Sequence, residues 1–256
     1  MRSMLAFVKK ELLAQIRSGK LIGVLLIFAA LGIMNPVITK LTPLLLELFS
    51  ESLAETGMTI TVVDVSALDS WLQFYKNIPL GIIAFVVLQS NIFTREYRSG
   101  TLVLSLTKGL ERYKVVLSKA FCLVAIWTLG FWLCFGVTYV GNMLFWDNSE
   151  AKSLVFSAVC CWVGGLWTTA LTVLFSIVTR SMVGVLIGTG SVTLGIYVLD
   201  IIPKAHKILP TTLYDGTSLV YGLAEVSDYT VPLIVGAAIV IACLAVSIPV
   251  FNKKQL

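Results

Sequence analysis

Side chains able to carry covalent chemistry are few in this 256-residue chain, and they are poorly spaced for it. The only histidine, His206, stands between Lys204 and Lys207 in a polar stretch, where a solvated imidazole is expected. Ser191 closes the string Gly188-Thr189-Gly190-Ser191, a setting that suits a nucleophile, but no later apolar run supplies a histidine as its base. No His-Glu-x-x-His pair offers a metal site, and no Gly-x-x-x-x-Gly-Lys-Ser/Thr loop cradles phosphates. Cys122, Cys134, Cys160, Cys161 and Cys243 all fall inside apolar runs, without disulfide or zinc-ligand spacing, and read as small packing side chains. The most informative group is not catalytic: Arg95, Glu96, Arg98, Ser99, Gly100 and Thr101, just past an apolar run. A charged exit, a glycine that permits a tight turn and a leucine-rich stretch with a basic end follow one another there. Such a segment makes either a short helix that a partner can grip or a loop that only fixes topology.

Positioning these groups falls to the apolar runs. The hydrophobic set makes up 57% of the chain and charged residues 13%, with a mean hydropathy of +0.92. Soluble domains carry about 45–50% and about 25%, so a soluble enzyme is excluded, and so is a disordered chain. An all-α, polytopic membrane protein with six spans is expected, as a single transmembrane domain over residues 1–256. The spans are read at about residues 21–38, 79–93, 115–145, 154–178, 183–202 and 231–251. No small-residue cleavage site follows the first, so it is expected to be retained. Residues 1–20 read as an amphipathic helix lying in the interface, with Met4, Leu5, Val8, Leu12 and Ile16 on its apolar face. Trp71, Phe74 and Tyr75 are expected to extend the second span as an interfacial anchor.

The termini and the segment 94–114 fall on one side, and 14 of the 19 Lys and Arg residues lie there. The positive-inside rule makes that side cytoplasmic. Two outer segments remain. Residues 39–77 include a leucine-rich surface helix at 44–53, and residues 203–230, with Pro203, Pro210, Gly216 and Gly222, should form a broken helix and turns.

Glu96 with Arg98-Ser99-Gly100-Thr101, the leucine-rich stretch and then Arg112 and Lys119 resembles the signature after the second span of type-2 ABC transporter permeases. The likeness extends to the interfacial helix, the six spans and the short basic tail. The family often has a proline before the basic residue of the short helix, where this chain has Lys108-Gly109. The resemblance implies a type-2 ABC exporter fold whose coupling helix docks into a separate ATP-binding-cassette ATPase, present in two copies. ATP and Mg would reside on that partner, with no cofactor or metal on this chain. It also implies a second permease subunit, identical or homologous, and a bacterial plasma membrane. Arg95, Glu96, Arg98, Gly100, Thr101, Leu102, Leu104, Lys108 and Arg112 would carry the coupling.

Charge is nearly absent from the span interiors, which argues against a proton-coupled carrier. Gly184, Gly188, Ser191 and Gly195 share one face of the fifth span, read as a subunit interface in preference to packing within the subunit. In the resembled family spans two and five line the translocation cavity, which makes Gln89, Asn91 and Ser191 its candidate lining. Export of an amphiphilic drug or antimicrobial peptide is the function expected. The alternatives are an intramembrane hydrolase and an immunity protein that sequesters a peptide. A nucleic-acid partner is not expected; membrane lipid is.

Overall fold

Long apolar runs in lipid leave backbone groups no partner but one another, and helices result. The computed structural model describes residues 2–48, 64–107 and 109–254, with no strand among them. In chain order the helices are α1 (Arg2–Arg17), α2 (Lys20–Leu48), α3 (Ala67–Gln89), α4 (Thr94–Ser99), α5 (Thr101–Thr107), α6 (Arg112–Phe145), α7 (Leu154–Val178), α8 (Met182–Asp200), α9 (Pro203–His206), α10 (Gly216–Val220) and α11 (Thr230–Lys253). Six segments are long and apolar enough to cross a membrane: α2, α3 continued through α4, α6, α7, α8 and α11.

Several helices outrun the apolar runs that mark them. α2 holds 29 residues, about 43 Å at 1.5 Å per residue, and passes straight through Thr39 and Lys40. Residues 44–48 of the expected surface helix are therefore its last turns, and 49–53 lie outside the described residues. α3 begins well before Pro79, at a capping box in which Ser66 Oγ accepts from the Leu68 N–H (3.2 Å) and Asp69 from the Ser66 N–H (2.9 Å). Trp71, Phe74 and Tyr75 lie on this added length. They do not anchor the interface; they are buried, with Phe74 edge-on to Phe131 of α6 at 5.9 Å.

α2 lies between α3 and α6, α11 packs along α7, and α6 joins the two groups. Pro36 in α2 cannot donate to the Gly32 carbonyl, and Thr138 Oγ1 of α6 donates to it instead at 3.1 Å. Asn35 Nδ2 donates to the same Thr138 oxygen (2.9 Å) and Asn77 Nδ2 to Asn35 Oδ1 (2.8 Å), so the polar groups satisfy one another. At the centre, Trp127 packs edge-on to Phe28 and Phe85, and its Nε1–H donates to the Trp162 carbonyl at 3.0 Å. Gly165 of α7 lies against that indole so closely that a Cβ would overlap the ring. α8 is the exception: only Val185 and Thr189 of its residues are buried.

The segment after α8 is short helices and turns that fold back onto α7. Tyr214 Oη donates to the Gly164 carbonyl at 2.6 Å and shares a hydrogen bond with Thr168 (2.9 Å). Thr169 and Thr172 bond back to the Gly165 and Thr168 carbonyls of their own helix.

Candidate functional site

Where α3 ends, the chain makes a turn, forms the two-turn helix α4, reverses direction at Gly100 and forms α5. Gly100 has φ +66°, the left-handed region in which a Cβ is strained, and the Ser99 and Thr101 hydroxyls close the corner at 2.8 Å. This elbow is held by ions. Lys119, about two turns into α6 and 1% exposed, places its ammonium 3.0 Å from Glu96 of α4 and 2.8 Å from Glu11 of α1. It also donates to the Ile92 carbonyl at 3.0 Å, in the turn just past α3. Lys10 completes the cluster, 2.8 Å from Glu96 and 3.2 Å from Glu11. Burial works to lower the Lys10 pKa, yet the bond and charge of Glu96, with Glu11 beside it, hold it above the usual lysine value. Two cations and two carboxylates from three elements thus neutralise one another where neither sign alone would be tolerated.

The opposite side of the elbow is tied to the last helix. Arg112 donates to the carbonyls of Phe251 (2.9 Å), Asn252 (3.0 Å) and Lys254 (2.9 Å), closing the end of α11. Lys254 in turn donates to the Ile177, Val178 and Thr179 carbonyls at the end of α7, and its ammonium lies 4.3 Å from the centre of the Tyr97 ring of α4. Burial, with Arg180 nearby, pushes the Lys254 pKa down to about 8.

The residues expected to couple therefore divide. Glu96 and Leu102 face the bundle, Leu102 at 1% exposure, and Arg112 is spent on the α11 carbonyls, so none of these three forms an outward docking surface. Burial of Leu102 follows from its place as the first large apolar residue after the Gly100 reversal. Arg95, Arg98, Gly100 and Thr101 are exposed, Leu104 lies on α5, and Lys108 lies outside the described residues. Arg98 and Arg95 border a recess shared with Met182 at the start of α8.

The expected cavity lining changes more. Gln89 is fully buried and accepts from Gln15 Nε2 of α1 at 3.0 Å, while Asn91 accepts from Lys20. An apolar crevice of about 560 Å³ does run between α3 and α8, but neither Gln89 nor Asn91 nor the exposed Ser191 lines it. Its walls are Ile82, Ile83 and Val86 of α3 and Thr189, Thr193 and Leu194 of α8, with Tyr197, Tyr214 and Thr168 supplying further hydroxyls. Gln89, the last residue of α3, turns toward α1, because a buried amide needs a partner and α1 carries one. On the small-residue face of α8, a Cβ on Gly188 would overlap Phe175 of α7 and one on Gly184 would crowd Thr179. Those two glycines serve packing within the subunit; Gly195 meets nothing and remains open.

α1 turns a mixed polar and apolar face to the bundle and leaves apolar side chains on its outer side. Phe7, Glu11 and Gln15 are buried, whereas Leu5 and Ile16 are exposed at 67% and 47%. The sequence sign of Glu11 is that it stands as the lone acid among Arg2, Lys9, Lys10, Arg17 and Lys20. Nothing comparable marked Lys254 or Tyr214. Ser191 and His206 do not come together as nucleophile and base: His206 pairs with Asp200 at 3.1 Å at the far end of α8, about 13 Å along the helix from Ser191. No cluster of metal-ligating side chains occurs among the described residues.

A helical membrane protein with six candidate spans, a charged elbow after the second and a crevice between the second and fifth is a transport permease in class. The chain belongs to the ABC-2 transporter family: the family model described as ABC-2 family transporter protein matches residues 5–204. No curated protein matches it.

Proposed function

We propose that this permease works as one of a pair, driven by two copies of a separate ATP-binding-cassette ATPase that hold the ATP and Mg. The observation that carries the reading is the elbow of α4 and α5, tethered through Glu96 to Lys119 and Lys10. A push on the elbow from below is transmitted to α1 and α6 through ion pairs and to α7 and α11 through Lys254 and Arg112. Exposed Arg98, Thr101 and Val103 would meet the ATPase, and Glu96 would hold the elbow in place. The membrane is that of a bacterial cell, and the termini and elbow face its cytoplasm, an orientation that the basic excess on that side supports. The crevice between α3 and α8 is the transport path, closed on its open side by the second permease through α8.

Its walls favour an amphiphilic cargo, a drug or a membrane-active peptide, exported with its apolar part on Ile82, Ile83 and Leu194 and its polar groups on the threonines and Tyr197. Co-purification tests the reading. The tagged chain should retain an ATPase of this class when the two are expressed together, and Glu96→Arg should lose it or uncouple its hydrolysis. An intact chain that retains none contradicts the proposal.

A further inference from the structure

A recess of about 460 Å³ opens between α1, the first residue of α2 and the α3–α4 turn. Seven of its lining residues are charged, and they sort into two groups. Lys10, Lys119, Glu11 and Glu96 cancel one another in the cluster described above. Arg17, Lys20 and Arg95 have no carboxylate partner among the described residues; Lys20 reaches only the neutral Asn91. Three uncompensated cations around one concavity repel each other, a cost that a bound anion removes. Gln15 forms part of the inner wall at 6% exposure, and its Oε1 and the Nε2 of its partner Gln89 have no hydrogen-bond partner, which leaves spare amide capacity behind the cations.

We infer that this recess binds a phosphate group, held by the Arg17 and Arg95 guanidiniums and the Lys20 ammonium. Guanidinium matches the tetrahedral oxyanion in forked pairs and the ammonium adds a point charge. The level of the site in the fold favours a lipid phosphodiester as the source. Lys20 opens a membrane-crossing helix, and Ile22 and Leu26, exposed at 53% and 65%, follow within two turns, beside hydrocarbon. Basic recesses between helices at that depth meet anionic headgroups, and this volume accommodates a glycerophosphate. The site lies on the same wall as Glu96, so its occupancy would brace the elbow. The inference does not depend on the identity of the ATPase or the cargo.

Native mass spectrometry of the detergent-purified chain, with added phosphatidylglycerol or phosphatidylcholine, tests it, alongside thermal unfolding with and without inorganic phosphate. Wild type should retain phosphatidylglycerol in preference to phosphatidylcholine, and the double variant Arg17→Gln with Lys20→Gln should bind it about tenfold more weakly or worse, as loss of a charge-assisted contact requires. Arg17→Lys with Lys20→Arg preserves charge and should retain it, which separates loss of the site from loss of the fold. Stabilisation by inorganic phosphate alone, absent in the Gln variant, would assign the site to soluble phosphate and uphold it. Equal retention of both lipids, equal binding by wild type and the Gln variant, or no response to either phosphate source would overturn the inference.

Discussion

Lys119 of α6 and Glu96 of α4, helices with α5 between them in the chain, meet at 3.0 Å with the lysine almost completely shielded from water. An ammonium so placed is tolerated only while its carboxylates are present, so the pair fixes where α4 sits relative to α6.

Removing the buried lysine alone should cost far more than removing it together with its two carboxylates. Lys119→Met leaves the buried Glu11 and Glu96 with only the half-exposed Lys10 as a counter-charge and should destabilise the chain by about 3 kcal/mol. The triple change that adds Glu11→Gln and Glu96→Gln should recover most of that loss. Thermal unfolding in detergent, comparing the single and the triple variant, reads it directly, and equal losses would contradict the buried cluster.

The proline in α2 and its partner in α6 should be thermodynamically coupled. Thr138→Val strips the donor from the Gly32 carbonyl and the acceptor from Asn35, at about 1–3 kcal/mol. Pro36→Ala returns a backbone N–H to the same carbonyl, so Thr138→Val should be milder on that background. Additive losses in the double-mutant cycle would show that the hydroxyl does not replace the missing bond.

How much of this was legible in the sequence follows from what each residue type must do. Apolar runs without charge announce crossing helices, because lipid leaves no alternative, and a charged exit with Gly100 announces the elbow. Pattern alone missed where helices end, since Thr39 and Lys40 are as compatible with a continuing helix as with a loop once α6 covers one side. It also missed direction. Gln89 and Gly188 read as outward-facing in a linear string, but α1 brings an amide to the first and α7 a ring to the second. Partners distant in sequence, such as Lys254 with the end of α7, have no periodic signature at all.

Lys254 should titrate near pH 8 in the folded chain, against 10.5 for an ordinary lysine. Folded protein therefore binds fewer protons than unfolded protein between those values, and this group's contribution to stability rises with pH through that window. Because the side chain is only partly buried, the effect on stability is small and the better readout is chemical. Amine acylation followed by peptide mass spectrometry should show Lys254 reactivity reaching half its plateau near pH 8; a midpoint near 10.5 would contradict the environment described.

The small-residue face of α8 should split in its effects. Gly188→Ala drives a methyl into Phe175 and should lower the stability of the single chain by about 1–3 kcal/mol. Gly195→Ala meets open space and should leave that stability unchanged. Unfolding of the isolated chain distinguishes them, and equal tolerance of both would contradict the packing of α8 on α7.

The central claim is that the α3–α8 crevice carries cargo while the elbow delivers the work. Gly190 lines that crevice and a Cβ added there meets nothing within 4 Å, so Gly190→Phe can project its ring into the path. The decisive measurement is paired ATP hydrolysis and export of an amphiphilic fluorescent drug in proteoliposomes holding the permease and its ATPase, for wild type, Gly190→Phe and Ser191→Ala. The account predicts that Gly190→Phe hydrolyses ATP but exports little, while Ser191→Ala matches wild type in both. Undiminished export by Gly190→Phe would contradict it.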